Sequence, residues 1–198
     1  MTYLPHLPED LPEHPPTWRD VVAESRFALE WLRAKRLGDR VLQGLARGDG
    51  QALMLLPGYG ADEKAMNSLA TRLRQLGYAV SHWGQGKNNG AVHKLLPKLK
   101  QKIQDHVQHS GQPITLIGWS LGGYIARELA RDLPEHIAGV ITLGSPAVGG
   151  PKYTITAAAY RKKGFNLDVI ESEMAKRDSI PILCPLTVLF SKLDGIVR

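Results

Sequence analysis

The sequence predicts an α/β fold built on a mostly parallel sheet of about five strands. Short apolar, β-branched runs alternate along the chain with longer stretches of helical periodicity, the pattern of right-handed βαβ units. The runs are apolar almost without interruption, so both faces of each strand should be covered by helices. At one run-to-helix junction stands a glycine-flanked serine, Ser120. The 198 residues fit one domain with a sizeable core.

In chain order, residues 1–16 are proline-rich and polar and read as an extended arm. Thr17 with Asp20 three residues on matches a capping box. Trp18, Val21, Val22, Ala28, Leu29 and Leu32 then recur at helical spacing, which predicts a helical segment over 17–47 packed on the domain. Trp18, Phe27 and Trp31 are read as core cover in preference to a membrane contact. Gly48, Asp49 and Gly50 end this segment and open the core, 48–198. Strands are expected at 52–56, 78–82, 114–118, 140–143 and 186–191, and helices at 61–76, 91–109 and 121–133. No clear strand falls in 145–180. Two readings stay open there: a helical insertion over the sheet's C-terminal edge, or a long crossover helix with a loop.

Composition narrows the function classes. The formal charge is +6, but the basic residues cluster at 32–40, 94–102 and 161–163, where solvated helix faces account for them. Interleaved exposed aromatics and a recognisable nucleic-acid module are both missing, so no nucleic-acid partner is expected. The first residues carry no basic stretch followed by an apolar run, and no segment reads as a transmembrane span. Peripheral contact with anionic lipid stays open. Cys184 is the single cysteine; an internal disulfide is impossible, which suits a reducing, cytoplasmic location. His106 and His109 share a helix face without a third ligand, so neither a metal nor a cofactor is expected. The stretch 84–90, Gly-Gln-Gly-Lys-Asn-Asn-Gly, lacks phosphate-loop spacing and reads as a flexible loop bordering a pocket. Trp83 and Trp119 suit either core packing, the default, or the wall of an apolar pocket.

The chemistry-bearing motif is Gly118-Trp119-Ser120-Leu121-Gly122, of the form G-x-S-x-G. A buried strand enters it and an amphipathic helix leaves it, as a nucleophile elbow requires. Serine on so sharp a turn needs small neighbours two residues away, and Gly118 and Gly122 supply them. Gly123 lets the helix lie close to the sheet. The turn lifts the hydroxyl above the sheet edge and aims a helix N-terminus at the place where an oxyanion would form.

These features resemble the α/β-hydrolase superfamily, a three-layer sandwich, and are most similar to lipase- or esterase-like members related to the GPI inositol-deacylase group. The likeness implies a nucleophilic Ser120. It also assigns an oxyanion hole to the amides of Tyr59, in Leu55-Leu56-Pro57-Gly58-Tyr59-Gly60, and of Leu121. The triad acid it implies is Asp194, just past the last strand. Many relatives carry histidine where this chain has Pro57.

The superfamily order is serine, acid, histidine, and all seven histidines precede Asp194. The last strand and helix of the fold are absent too, so the sequence is expected to be a truncated form of a longer hydrolase, inactive or nearly so. His82 ends a strand on the correct edge, but in the superfamily's order it lies two strands from Ser120, about 10 Å. The expected reaction is hydrolysis of a small-molecule or lipid ester through an acyl-serine. An acyltransferase with the same site, or a non-catalytic binding protein of this fold, are the alternatives.

Overall fold

The computed structural model describes residues 42, 44–145, 161, 162, 164, 166, 172 and 176–190. The arm at 1–16, nearly all of the helical segment at 17–47, most of 145–180 and Asp194 lie outside them.

Five strands form one sheet: β1 (Ala52–Leu56), β2 (Ala79–His82), β3 (Ile114–Trp119), β4 (Ile137–Leu143) and β5 (Leu186–Leu189). Their order is β2-β1-β3-β4-β5 and every pairing is parallel. Among the described residues, the helices between β1 and β4 are α1 (Asn67–Gln75), entered through a 3-10 turn at Glu63–Met66, α2 (Val92–Ser110) and α3 (Leu121–Asp132).

The side-chain alternation of β1 divides the core. Met54 and Leu56 join Leu116, Val140 and the buried faces of α2 and α3. Leu53 and Leu55 pack with Ile117, Met66 and Ala70 under α1. Helices therefore cover both sheet faces, giving the three-layer sandwich, and this is why the strands read as continuous apolar runs. Leu95, Leu99 and Ile103, at helical spacing on α2, are the residues that helix buries.

The boundaries differ from expectation at the helix placed over 61–76, whose α-helical part begins only at Asn67 after a 3-10 turn, and at β4, which begins three residues before 140. Gly139 masks its start in the sequence. In the structure this glycine lies beside the Pro185 carbonyl, which accepts the Val140 amide at 2.9 Å where β5 joins the sheet. A register shift between Ile114 and Thr115 adds to the irregularity. β5 is half-exposed along its length, with Val188 at 41% and Leu189 at 54%. Among the described residues, no strand pairs with its outer edge.

Ion pairs tie α3 to the segment ahead of β5. The Glu128 carboxylate, 1% exposed, pairs with both Arg131 and Arg177. Arg177 also reaches Asp132 at 2.7 Å, and Arg131 reaches Asp178 at 2.7 Å. Lys100 of α2 joins through Asp132 at 2.5 Å. α3 is thereby fixed on the side away from the sheet, as hydrophobic packing fixes it on the other.

Candidate active site

The strand order reverses between β1 and β3: the chain steps outward from β1 to β2, then crosses back to build β3, β4 and β5 on the other side. In open parallel sheets the crevice beyond the strand C-termini at such a reversal is where ligands bind. Two loops meet there. One follows β1 at Pro57–Gly60 and the other is the turn from β3 into α3 at Ser120.

Ser120 has φ 51° and ψ −119°; among the described residues no other non-glycine residue has positive φ. A backbone held in so sparsely populated a region costs on the order of 1–3 kcal/mol. The surroundings enforce it. The Ser120 amide donates to the Leu143 carbonyl at 2.9 Å, and the Gly123 amide donates back to the Ser120 carbonyl at 2.9 Å. A Cβ on Gly118 would overlap the Gly122–Gly123 peptide, and one on Gly122 would overlap the Leu56 carbonyl at the end of β1. One on Gly123 would fall 2.7 Å from the Ser145 side chain. Neighbouring backbone thus requires Gly118 and Gly122, the latter through the adjacent strand, and a neighbouring side chain crowds Gly123. Although serine is a favoured N-cap residue, the Ser120 side chain makes no cap hydrogen bond to α3.

Gly58 places the other loop beside this turn. A Cβ built on it would stand 3.3 Å from the Ser120 Cβ and 3.3 Å from the Trp119 ring and carbonyl. The backbone that carries Tyr59 therefore adjoins Ser120. The Leu121 amide opens α3, where the first N–H groups have no acceptor within the helix. Asp62 caps the 3-10 turn through the Lys64 amide at 2.9 Å. Glu63 accepts the Gly84 amide at 2.8 Å, joining this loop to the one after β2.

That loop, 84–90, is anchored where sequence reasoning expected flexibility. Trp83 is wholly buried in the core, and its indole N–H donates to the Gly86 carbonyl at 3.1 Å. Asn88 is also wholly buried. Its Nδ2 donates to the Pro57 carbonyl at 2.8 Å. Its carbonyl accepts the Gly60 amide at 2.7 Å, and its own amide donates to the Ala61 carbonyl at 2.8 Å. Nothing in the sequence singled Asn88 out, because each of these partner groups is backbone. Trp119 parts company with Trp83: it is 40% exposed, next to Ser120, so the core expectation fails for it.

The described histidines are dispersed. His82 ends β2, two strands from β3, and its Nδ1 is buried without a hydrogen-bond partner. His136 precedes β4, at the end of the sheet opposite Ser120. His109 bonds the Asp105 carbonyl one turn back, and His106 lies 3.4 Å from the Ser110 hydroxyl. Tyr124, one turn after Ser120, has its phenol pushed up to about 12 by burial and then by the Glu128 charge, so it stays neutral. Burial also pushes the Cys184 thiol up, against thiolate chemistry.

Residues 49–174, more than half of the chain, match the family described as serine aminopeptidase, S33. The chain belongs to the S33 serine aminopeptidase family. Among curated relatives of this S33 member, a pimeloyl-[acyl-carrier protein] methyl ester esterase of Sodalis glossinidius is 30% identical over 97 residues, 47% of this chain and 36% of the relative. The monoglyceride lipase of Homo sapiens is 26% identical over 110 residues, 52% of this chain and 36% of the lipase. The matched stretch thus spans about a third of these relatives' length. Among solved structures, the mature form of Bacillus licheniformis lipase BlEst2 superposes with TM-score 0.52 at 15% identity, over 73% of this chain and 67% of the lipase. The S33 chain therefore has the α/β-hydrolase fold. None of its described helices is long and apolar enough to cross a membrane.

Proposed function

We propose that the chain carries the machinery of a serine hydrolase acting on carboxylic esters. The Ser120 Oγ attacks the ester carbonyl carbon while a base takes its proton. The tetrahedral oxyanion is held by the Tyr59 and Leu121 amides, each contributing about 3–4 kcal/mol. The C–O bond then breaks, and the leaving alcohol receives the proton. Water repeats the sequence on the acyl-serine, releasing acid and free serine. Asp194 is assigned to orient the histidine base. The observation that carries this reading is the strained, enforced Ser120 conformation at the strand reversal, with the Gly58 backbone against it. An ester with an apolar, lipid-like acyl group fits the exposed Trp119 at the site, in line with the monoglyceride lipase and the inositol-deacylase resemblance.

No histidine follows Asp194 in these 198 residues. Removing the histidine from a Ser-His-Asp site costs about a million-fold in kcat, so this chain alone is expected to turn over negligibly in a cytoplasm-like buffer. The test is p-nitrophenyl acetate hydrolysis by the wild type and Ser120→Ala, with and without added imidazole as a diffusible base. The expected result is imidazole-dependent release above the Ser120→Ala background, with an acetyl adduct mapped to Ser120. Equal release from both proteins, with no adduct, overturns the reading. Rapid Ser120-dependent turnover without imidazole would show that a base is present in the chain after all.

A further inference from the structure

We propose that Asn88 is the positioning residue of the oxyanion loop, fixing the direction of the Tyr59 N–H. The inference rests on the serine-hydrolase reading above and deepens it.

The loop after β1 contains three consecutive peptide units of interest. The Pro57–Gly58 unit is held through its carbonyl by the Asn88 Nδ2 at 2.8 Å. The Tyr59–Gly60 unit is held through its N–H by the Asn88 carbonyl at 2.7 Å. The Gly58–Tyr59 unit, which bears the assigned oxyanion donor, lies between them, and its own carbonyl accepts the Ala61 amide at 3.2 Å. With its own carbonyl bonded to Ala61 and both neighbouring units held by Asn88, the middle peptide has little freedom to rotate. A third bond, from the Asn88 amide to the Ala61 carbonyl at 2.8 Å, extends the clamp further along the loop.

Gly58 and Gly60 make the clamp necessary. A Cβ at Gly58 would press on Ser120 and Trp119 at 3.3 Å, so those neighbours would have to shift slightly, and Gly60 has φ +76°. Two glycines give the backbone around Tyr59 added freedom; the Ala61 amide restrains the Gly58 carbonyl, and Asn88 holds Ala61 in turn through its carbonyl. Asn88 has the chemistry that the job requires: a side-chain donor for Pro57 and a side-chain acceptor, which takes the Gly90 amide at 3.1 Å and fixes the rotamer. Full burial shields these bonds from water. An oxyanion donor acts through preorganisation, so a residue that sets its direction affects transition-state binding and leaves ground-state binding alone.

The experiment compares wild type, Asn88→Leu and Asn88→Asp. Labelling of Ser120 by an alkyl fluorophosphonate, with imidazole added as a diffusible base, is followed by intact mass, and amide signals are followed by NMR during titration with an aryl boronic acid. The boronic acid forms a B–O bond to the Ser120 oxygen, whose proton passes to buffer. In wild type, the Tyr59 and Leu121 amides both shift as they meet the boronate. In the variants, labelling falls by about 10- to 100-fold, the Tyr59 shift is lost and the Leu121 shift persists. A variant that is folded, labels within about two-fold of wild type and keeps both shifts overturns the assignment. If Asn88→Leu does not fold, Asn88→Asp is read the same way. Wild type supplies a further check: boronate must slow hydrogen exchange at Gly60 and Asn88 together with Tyr59, and protection confined to Leu121 counts against the clamp. Failure of wild type to label at Ser120 with imidazole present defeats the hydrolase reading and this inference together. Equal labelling of all three proteins defeats only the role of Asn88.

Discussion

Gly122 lies against the backbone carbonyl of Leu56 so closely that one added methyl group would overlap it. The contact locks the first turn of α3 to the end of β1, the strand that leads into the Gly58 loop. Gly122→Ala is expected to push α3 off the sheet at a cost of about 1–3 kcal/mol, read as a lower urea midpoint. Imidazole-assisted fluorophosphonate labelling of Ser120 should fall with it, because the two loops of the site separate.

Ser120 pays for its conformation. Glycine reaches positive φ without a Cβ penalty, so Ser120→Gly should be at least as stable as wild type. A gain of about 1 kcal/mol corresponds to a rise in Tm of about 2–4 °C for a chain of this size. Labelling should vanish. A clear fall in Tm would show that the serine side chain contributes to folding in a way the structure does not display.

Glu128 is a buried carboxylate facing two guanidinium groups. Removing one partner of such a network leaves uncompensated charge, at a cost of about 3–5 kcal/mol. Glu128→Ala should therefore be strongly destabilised in urea melts. Arg177→Ala, whose side chain is a third exposed, should cost less.

Asp132 sets an acid limit. Burial pushes its carboxyl up, but hydrogen bonds from Lys100 and Arg177 and their charges outweigh that and hold it below the ordinary carboxylate range. A depressed folded-state value gives stability that is complete above the unfolded value, about 4. That stability is lost as pH falls through the folded value. Asp132→Asn should be less stable than wild type at pH 7. The gap should narrow below about pH 4, as measured by thermal melts across the acid range.

The sheet was legible because its signal is local. Runs such as Leu53–Leu56 and Ile114–Ile117 are bounded by glycine, proline or polar turns, and the helix periods between them imply parallel crossovers. The elbow was legible for a steric reason: Gly118, Gly122 and Gly123 cluster around one serine at a strand-to-helix junction because each larger side chain would collide there. Asn88 was invisible because its partners are main-chain groups, the Pro57 carbonyl among them 31 positions away, and backbone acceptors leave no residue-type signature. The Glu128–Arg177 pair joins residues 49 apart, beyond the reach of any periodicity. Trp119 was misjudged because its exposure follows from the tight turn beside it, not from its own apolar character.

The hydrogen bond from Ser120 to Leu143 sets a minimum length for anyone who would carve out this domain. Ser120 is held by a carbonyl that emerges from the ribosome well after it, and Gly123 leans on Ser145. A fragment ending before Leu143 would contain the whole G-x-S-x-G signature yet have nothing to hold the serine in its bend. Sequence motif and working geometry would then part company, and a motif search would score such a piece as intact.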